Sequence, residues 1–213
     1  MSRGLFITFE GGDGSGKSTQ IALLKSWLIE EGFDVILTRE PGGTQISEKI
    51  RELILDPANT EMADMTEAFL YAAARAQLVK QLIKPALEEG KVVICDRFVD
   101  SSIAYQAYGR GLGDAVGVIN TYAVDGCMPD LTILLRLDPQ RGSRRIADRE
   151  HDRIEQASDD FHRKVYEGYL ELEKKYPERI FGIYASGTID AIAEQIRCRV
   201  SKLTGVGIEE HET

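Results

Sequence analysis

The sequence predicts an α/β protein, a parallel sheet of five strands covered by helices on both faces. Three observations carry this reading. Short, almost continuously apolar runs alternate with amphipathic stretches along the whole chain. Capping and turn residues stand between them. A glycine-rich turn follows the first apolar run and opens the first amphipathic stretch. The 213 residues fit one domain with a sizeable core, and no internal repeat or low-complexity block interrupts them.

Leu5-Phe6-Ile7-Thr8-Phe9 reads as the first buried strand. Ile21, Leu24 and Leu28, with Leu23 and Trp27 beside them, form one face of the first helix, and Gly32 is placed to end it. Asp34–Thr38 is the second strand, Pro41-Gly42-Gly43 a loop, and Ile46, Ile50, Leu53 and Ile54 mark a helix. Thr66–Glu89 reads as one long helix kinked at Pro85. Val92–Asp96 is the third strand, and residues 98–108 and 114–124 are helical. Leu131–Leu137 is the fourth strand, followed by the cap pair Asp138-Pro139. Ser158 caps a helix carrying Phe161, Val165, Tyr169 and Leu172 on one side. Ile180–Tyr184 is the fifth strand, residues 189–203 a closing helix, and the stretch after Leu203 a fraying tail. Right-handed crossovers would bring the loops after the strands to one edge, where ligands bind.

Composition excludes several classes. A net charge of −9 argues against a nonspecific nucleic-acid surface. Three cysteines, Cys95, Cys127 and Cys198, make no disulfide framework. No apolar run approaches the roughly 20 residues that cross a bilayer, and no signal-peptide pattern opens the chain. The expectation is a cytoplasmic protein.

Gly11-Gly12-Asp13-Gly14-Ser15-Gly16-Lys17-Ser18 fits G-x-x-x-x-G-K-[ST] at every fixed position, between strand and helix. In that setting backbone N–H groups cradle phosphate oxygens. Lys17 reaches the outer phosphates, and the Ser18 hydroxyl is placed to ligate Mg²⁺. Asp96, ending an apolar strand, is the expected second Mg²⁺-organising group. Arg97 follows it and suggests a second anion, a phosphate acceptor; a plain strand-end ion pair is the alternative. The guanine-reading Asn-Lys-x-Asp of a GTPase is absent from the sequence.

Arg141, Arg145, Arg149 and Arg153 recur every four residues, with Arg144 alongside. On a helix such like charges repel by a few tenths of a kcal/mol per pair. A mixed-charge solvated face is one reading, because Asp148, Glu150 and Asp152 intervene. An arginine lid closing over a transferring phosphoryl group is the other. Tyr71 with Arg75, Ser101 with Tyr105, and Ser102 with Gln106 are i,i+4 pairs, read either as surface packing or as a nucleobase pocket. No Ser–His–Asp or Cys–His arrangement is visible, which suits a nucleophile that is already an anionic phosphate oxygen.

On these residues the chain resembles the thymidylate kinases of bacteria over nearly its full length. The resemblance rests on Phe9-Glu10-Gly11 through Thr19, Thr38-Arg39-Glu40-Pro41-Gly42-Gly43-Thr44, Asp96-Arg97-Phe98, Ser101-Ser102, Ala104-Tyr105-Gln106 and Asp152-Arg153-Ile154-Glu155. It implies the P-loop nucleoside monophosphate kinase fold with a short arginine-rich lid at about 139–157, and phosphorylation of dTMP by ATP with Mg²⁺. ATP would lie on Gly11 through Thr19, with Arg144 and with Ser186 in the adenine loop Ala185-Ser186-Gly187. Asp13 would face the acceptor nucleotide. Arg39, Arg51 and Arg97 would hold the dTMP phosphate, and Arg75 the thymine edge, with Ser101, Ser102 and Gln106 nearby. Tyr105 would lie against the deoxyribose where a 2′-hydroxyl would clash. The thymine stacker would be Tyr71, where the family carries Phe, with Phe69 as the alternative. The segment from Gly14 to Gly16 has no arginine, which places the catalytic arginine in the lid: Arg149 first, Arg153 next. The resemblance also implies a homodimer. A deoxynucleoside kinase or another monophosphate kinase, and a noncatalytic nucleotide-binding module, remain the rival readings.

Overall fold

The computed structural model describes residues 3–148 and 150–206. Among these, β1 (Phe6–Glu10), β2 (Val35–Arg39), β3 (Val92–Asp96), β4 (Leu131–Arg136) and β5 (Ile180–Tyr184) form one all-parallel sheet. Its order is β2-β3-β1-β4-β5. From β1 the chain runs out to the edge at β2, returns to place β3 between them, and then crosses to the other side of β1 for β4 and β5. In such sheets the ligand crevice opens at the carboxyl ends of the strands beside that reversal.

Nine α-helical segments accompany the sheet among the described residues: α1 (Lys17–Glu30), α2 (Gln45–Leu55), α3 (Asp64–Leu78), α4 (Lys84–Glu88), α5 (Val99–Ser102), α6 (Asp114–Val124), α7 (Pro139–Arg145), α8 (Asp159–Lys175) and α9 (Ile189–Thr204). Four begin at side-chain caps read from the sequence or of the same kind. Thr44, Ser158 and Thr188 accept from the third residue on, and Asp138 from Gln140 and Arg141. Each such cap contributes about 1 kcal/mol. Gly32 ends α1 as expected: its N–H bonds Ile29, and the next N–H, from Phe33, bonds Leu28.

Strand β1 alternates between two cores. Ile7 and Phe9 pack with Ile21, Leu24 and Leu28 of α1 and Ile196 of α9. Phe6 packs on the opposite face with Val93, Cys95, Phe98 and Leu78. Glu10, at the end of β1, is also fully buried. A third cluster seats α8, through Phe161, Val165, Tyr169 and Leu172, against Tyr105 and Leu134.

Three helical expectations are corrected. The segment read as Thr66–Glu89 starts at Asp64 and widens to a π-helical turn at Val79–Ile83, ahead of Pro85. A proline ring crowds the carbonyl four residues back, and the wider turn relieves this upstream of the ring. Residues 98–108 hold only the short α5 before a second π-helical turn at Ile103–Gly109. The arginines spaced by four do not share one helix. α7 stops at Arg145, and Asp152 then folds a separate turn by accepting from the N–H groups of Ile154 and Glu155 at 2.9 Å each.

Candidate active site

A cleft of about 580 Å³ opens at the carboxyl edge of the sheet. Its floor is the loop from β1 to α1. Two glycines there cannot carry a side chain. A Cβ on Gly11 would sit 2.4 Å from the Leu135 carbonyl oxygen, and one on Gly14 2.4 Å from that of Gly142. Both also have positive φ, 129° and 72°. Lys17 curls over this loop, its Nζ donating to the carbonyls of Gly11 at 3.0 Å and Gly12 at 3.1 Å. Burial, with Arg97 nearby, lowers its ammonium to about 8. An arriving phosphate would favour the charged form again.

Arg97 stands where β3 becomes α5, in a left-handed conformation at φ 66° that is unusual for a residue with a Cβ. Its Nη2 pairs with Asp13 Oδ1 at 2.6 Å, its Nη1 donates to Gly11 at 3.0 Å, and its guanidinium lies 5.2 Å from the centre of the Tyr105 ring. Burial works to raise the Asp13 carboxyl, but Arg97 and then Lys17 hold it below its usual range.

Glu10 fixes this turn from beneath. Its Oε1 accepts from the N–H groups of Phe98 at 2.8 Å and Ser101 at 3.2 Å. Its Oε2 accepts from the hydroxyls of Ser101 at 2.6 Å and Tyr169 at 2.8 Å. Those two hydroxyls in turn lie 3.4 and 3.3 Å from Arg97 Nη1. Burial, and after it the Asp100 carboxylate, pushes Glu10 up to about 7. Asp100 is itself gripped by both Nη atoms of Arg179.

Most residues expected at the site line this one cleft: Asp13 through Thr19, Arg39, Arg51, Tyr71, Asp96, Arg97, Ser101, Tyr105 and Gln106. Arg39 is paired with Glu48 at 3.0 Å, and Arg51 donates to the Pro41 carbonyl at 2.8 Å. Tyr71 lines the wall, whereas Phe69 is 55% exposed and lies off it. The aromatic wall is therefore Tyr71, whose hydroxyl burial and Glu67 hold in the neutral form.

Arg75 is the clear departure. It is 1% exposed and does not line the cleft. All five of its N–H donors are engaged, by Glu40 twice and by Ser102, Asn120 and the Phe98 carbonyl. It braces the wall from behind, and Ser102 lies behind the wall with it. Glu40, in turn, is pushed up to about 7 by burial, its pairing with Arg75 notwithstanding. Gly11 and Gly12 form the loop beneath the cleft, while Arg144 and Ser186 are exposed and lie outside its lining.

In the segment expected to form a lid, Arg145 donates to the Gly14 carbonyl at 3.0 Å, joining α7 to the phosphate loop. Arg153 is held by the Ile54 carbonyl at 2.8 Å and Glu67 at 2.7 Å. Arg149 lies outside the described residues. Sequence reasoning passed over Arg145 as a site residue, and also Glu40, Glu67 and Asp152. Glu40 stood inside a quoted motif, and Arg145 inside the arginine run.

A model of the thymidylate kinase family matches residues 9–196. The chain belongs to the thymidylate kinase family. It is 53% identical over 195 residues to a thymidylate kinase of Oceanobacillus iheyensis, covering 90% of this chain and 87% of that one. It is 49% identical to that of Clostridium novyi, across 92% of this chain and 98% of the other. The crystal structure of thymidylate kinase from Ehrlichia chaffeensis superposes with a TM-score of 0.77 at 33% identity, over 93% of this chain and 99% of that one. The P-loop kinase fold read from the sequence is thus the fold of this family, and the cleft occupies its expected edge.

Proposed function

We propose that this thymidylate kinase family member transfers the γ-phosphoryl group of ATP to dTMP, giving dTDP and ADP. The observation that carries the reading is Arg97. A cation is held in a strained turn between the phosphate loop, where Lys17 stands, and a wall made by Tyr71, Tyr105 and Gln106. That is where an acceptor phosphate must meet a donor phosphate.

Mg²⁺ fits the residues present. Asp96 Oδ1 is buried without a hydrogen-bond partner among the described residues, and Ser18 lines the same cleft. Both are the hard oxygen donors this ion takes, and one or two protein ligands suffice beside phosphates and water. When bound, Mg²⁺ neutralises phosphate charge and orients the donor. Around it, Lys17 and the loop N–H groups hold the donor phosphates. Arg97, with Arg39 and Arg51, orients the acceptor phosphate. Asp13 keeps Arg97 in place, and Tyr105 crowds the sugar where a ribose would need room. Arg149 is assigned the neutralisation of developing charge, with Arg145 as the lid cation already on the loop. Arg153, tied to Glu67, braces the wall instead.

We also infer a homodimer through α3 and α6, which pack together and expose Phe69, Val118 and Tyr122. Among the described residues no helix is long and apolar enough to cross a membrane, and all three cysteines are free, which suits a cytoplasmic setting.

The test is ADP release from ATP·Mg²⁺ with dTMP, dUMP, UMP, AMP, CMP, GMP and thymidine offered separately. Strong release with dTMP and weaker release with dUMP supports the assignment. Release with thymidine or AMP instead overturns it. Light scattering reports the dimer.

A further inference from the structure

One buried amide on the cleft wall has its orientation imposed from behind. Gln106 is 1% exposed and lines the cleft. Its Nε2 donates to Glu67 Oε1 at 2.9 Å, while its own Oε1 has no hydrogen-bond partner among the described residues. The reverse orientation would set the amide oxygen against a carboxylate, two acceptors face to face.

Glu67 is held so that it offers no proton. It is 1% exposed, and Arg110 approaches it with Nε at 3.2 Å and Nη2 at 2.9 Å, Arg153 with Nη2 at 2.7 Å. Burial works to raise its carboxyl, but hydrogen bonds from Arg110, Gln106 and Arg153 keep it below the usual range. The other polar group expected at the base, Arg75, has no N–H left to give. Gln106 Oε1 is thus an acceptor on the cleft wall still open to a ligand.

We propose that Glu67 is a specificity-determining residue: by holding the Gln106 amide with its carbonyl oxygen toward the acceptor, it makes the site demand an N–H donor on the base edge. This rests on the reading of the cleft as a pyrimidine monophosphate site. Thymine and uracil present a ring N3–H between two carbonyls. The ring N3 of cytosine is an acceptor and would meet the Gln106 oxygen lone pair to lone pair. A buried polar group left unpaired in this way gives strong discrimination. Glu67 touches neither substrate and acts through Gln106, so it is a positioning residue.

The experiment measures kcat/KM for dTMP and for dCMP, with ATP, in the full-length protein, its Glu67→Gln and Gln106→Met variants, and the double variant. In Glu67→Gln the residue at 67 can donate or accept, so Gln106 is free to turn over. The wild type should prefer dTMP by about a hundredfold or more. Glu67→Gln should reduce that ratio at least about tenfold, through KM for the acceptor, with KM for ATP held within about twofold. Gln106→Met should reduce it comparably, and the double variant no further than Gln106→Met. A ratio within twofold of wild type in Glu67→Gln overturns the inference. So does an equal effect of Glu67→Gln with and without Gln106, which is what a merely structural carboxylate would give. Should Glu67→Gln fail to fold, an unchanged ratio in Gln106→Met overturns it alone. A wild type inactive on dTMP overturns the underlying reading, an outcome distinct from these.

Discussion

Glu10→Gln should remove a large part of the pH dependence of stability. The Glu10 carboxyl is fully buried, and burial with Asp100 lifts it from 4.5 to about 7. Between those values the native chain keeps a proton that the unfolded chain releases. Stability from this group is complete below about pH 4.5 and is lost as pH rises through about 7, about 3 kcal/mol in all. Glutamine is neutral throughout, and its amide can be satisfied here. Its oxygen keeps the N–H groups of Phe98 and Ser101, and its Nε2 meets two hydroxyls, Ser101 and Tyr169, that can turn to accept. The change in stability from pH 5 to pH 8 should therefore be smaller in the variant by about 2.5 kcal/mol, or about 5–10 °C in Tm for a chain of this size. Glu40, also near 7, titrates in both proteins; the Glu10 charge is the least of the causes that raise it, so most of the difference reports Glu10. Urea titrations followed by circular dichroism at pH 5, 6.5 and 8, at fixed ionic strength, measure it. Equal slopes in the two proteins, or a steeper one in Glu10→Gln, would refute the reasoning.

Lys17→Ala and Arg97→Ala should each reduce kcat/KM by at least about two to three orders of magnitude with the circular dichroism spectrum unchanged; near-wild-type turnover in either would sink the roles given to them. Gly142→Ala puts a Cβ 2.3 Å from the Asp13 carbonyl oxygen. It should force α7 off the phosphate loop, raise KM for ATP about tenfold and lower stability by about 1–3 kcal/mol, read by initial rates and thermal melts. Asp100→Asn leaves the Arg179 guanidinium without its charge partner and should destabilise by about 2–4 kcal/mol. The same change should move the pH slope assigned to Glu10 toward acid, because the carboxylate that helps to raise it is gone.

What the sequence disclosed was local. Apolar runs announced the strands, Asp138 and Ser158 stood as caps beside their helices, and the glycine loop carried its own spacing. Some of the misreadings involve partners distant in the chain, and others a local turn. Arg75 and Tyr71 do lie on one helix face, yet only the folded chain brings Glu40 and Asn120 to Arg75 and draws it inward. The lid arginines kept a helical spacing, and the Asp152 turn broke it. Glu67 carried no local signal of its role, since Arg110 and Arg153 approach it from 43 and 86 residues away. Nothing in the local pattern distinguishes a buried ionised carboxylate from a solvated one.

The left-handed turn at Arg97 leaves this position little room to drift. Glycine would relax the backbone by about 1–2 kcal/mol but delete the guanidinium. Asparagine tolerates the same φ and offers no positive charge. Lysine keeps the charge and loses the fork that reaches Asp13, Gly11 and Ser101 together. The chain carries a strained joint at the carboxyl edge of its sheet, and each of these substitutions that eases the joint removes a guanidinium from the cleft.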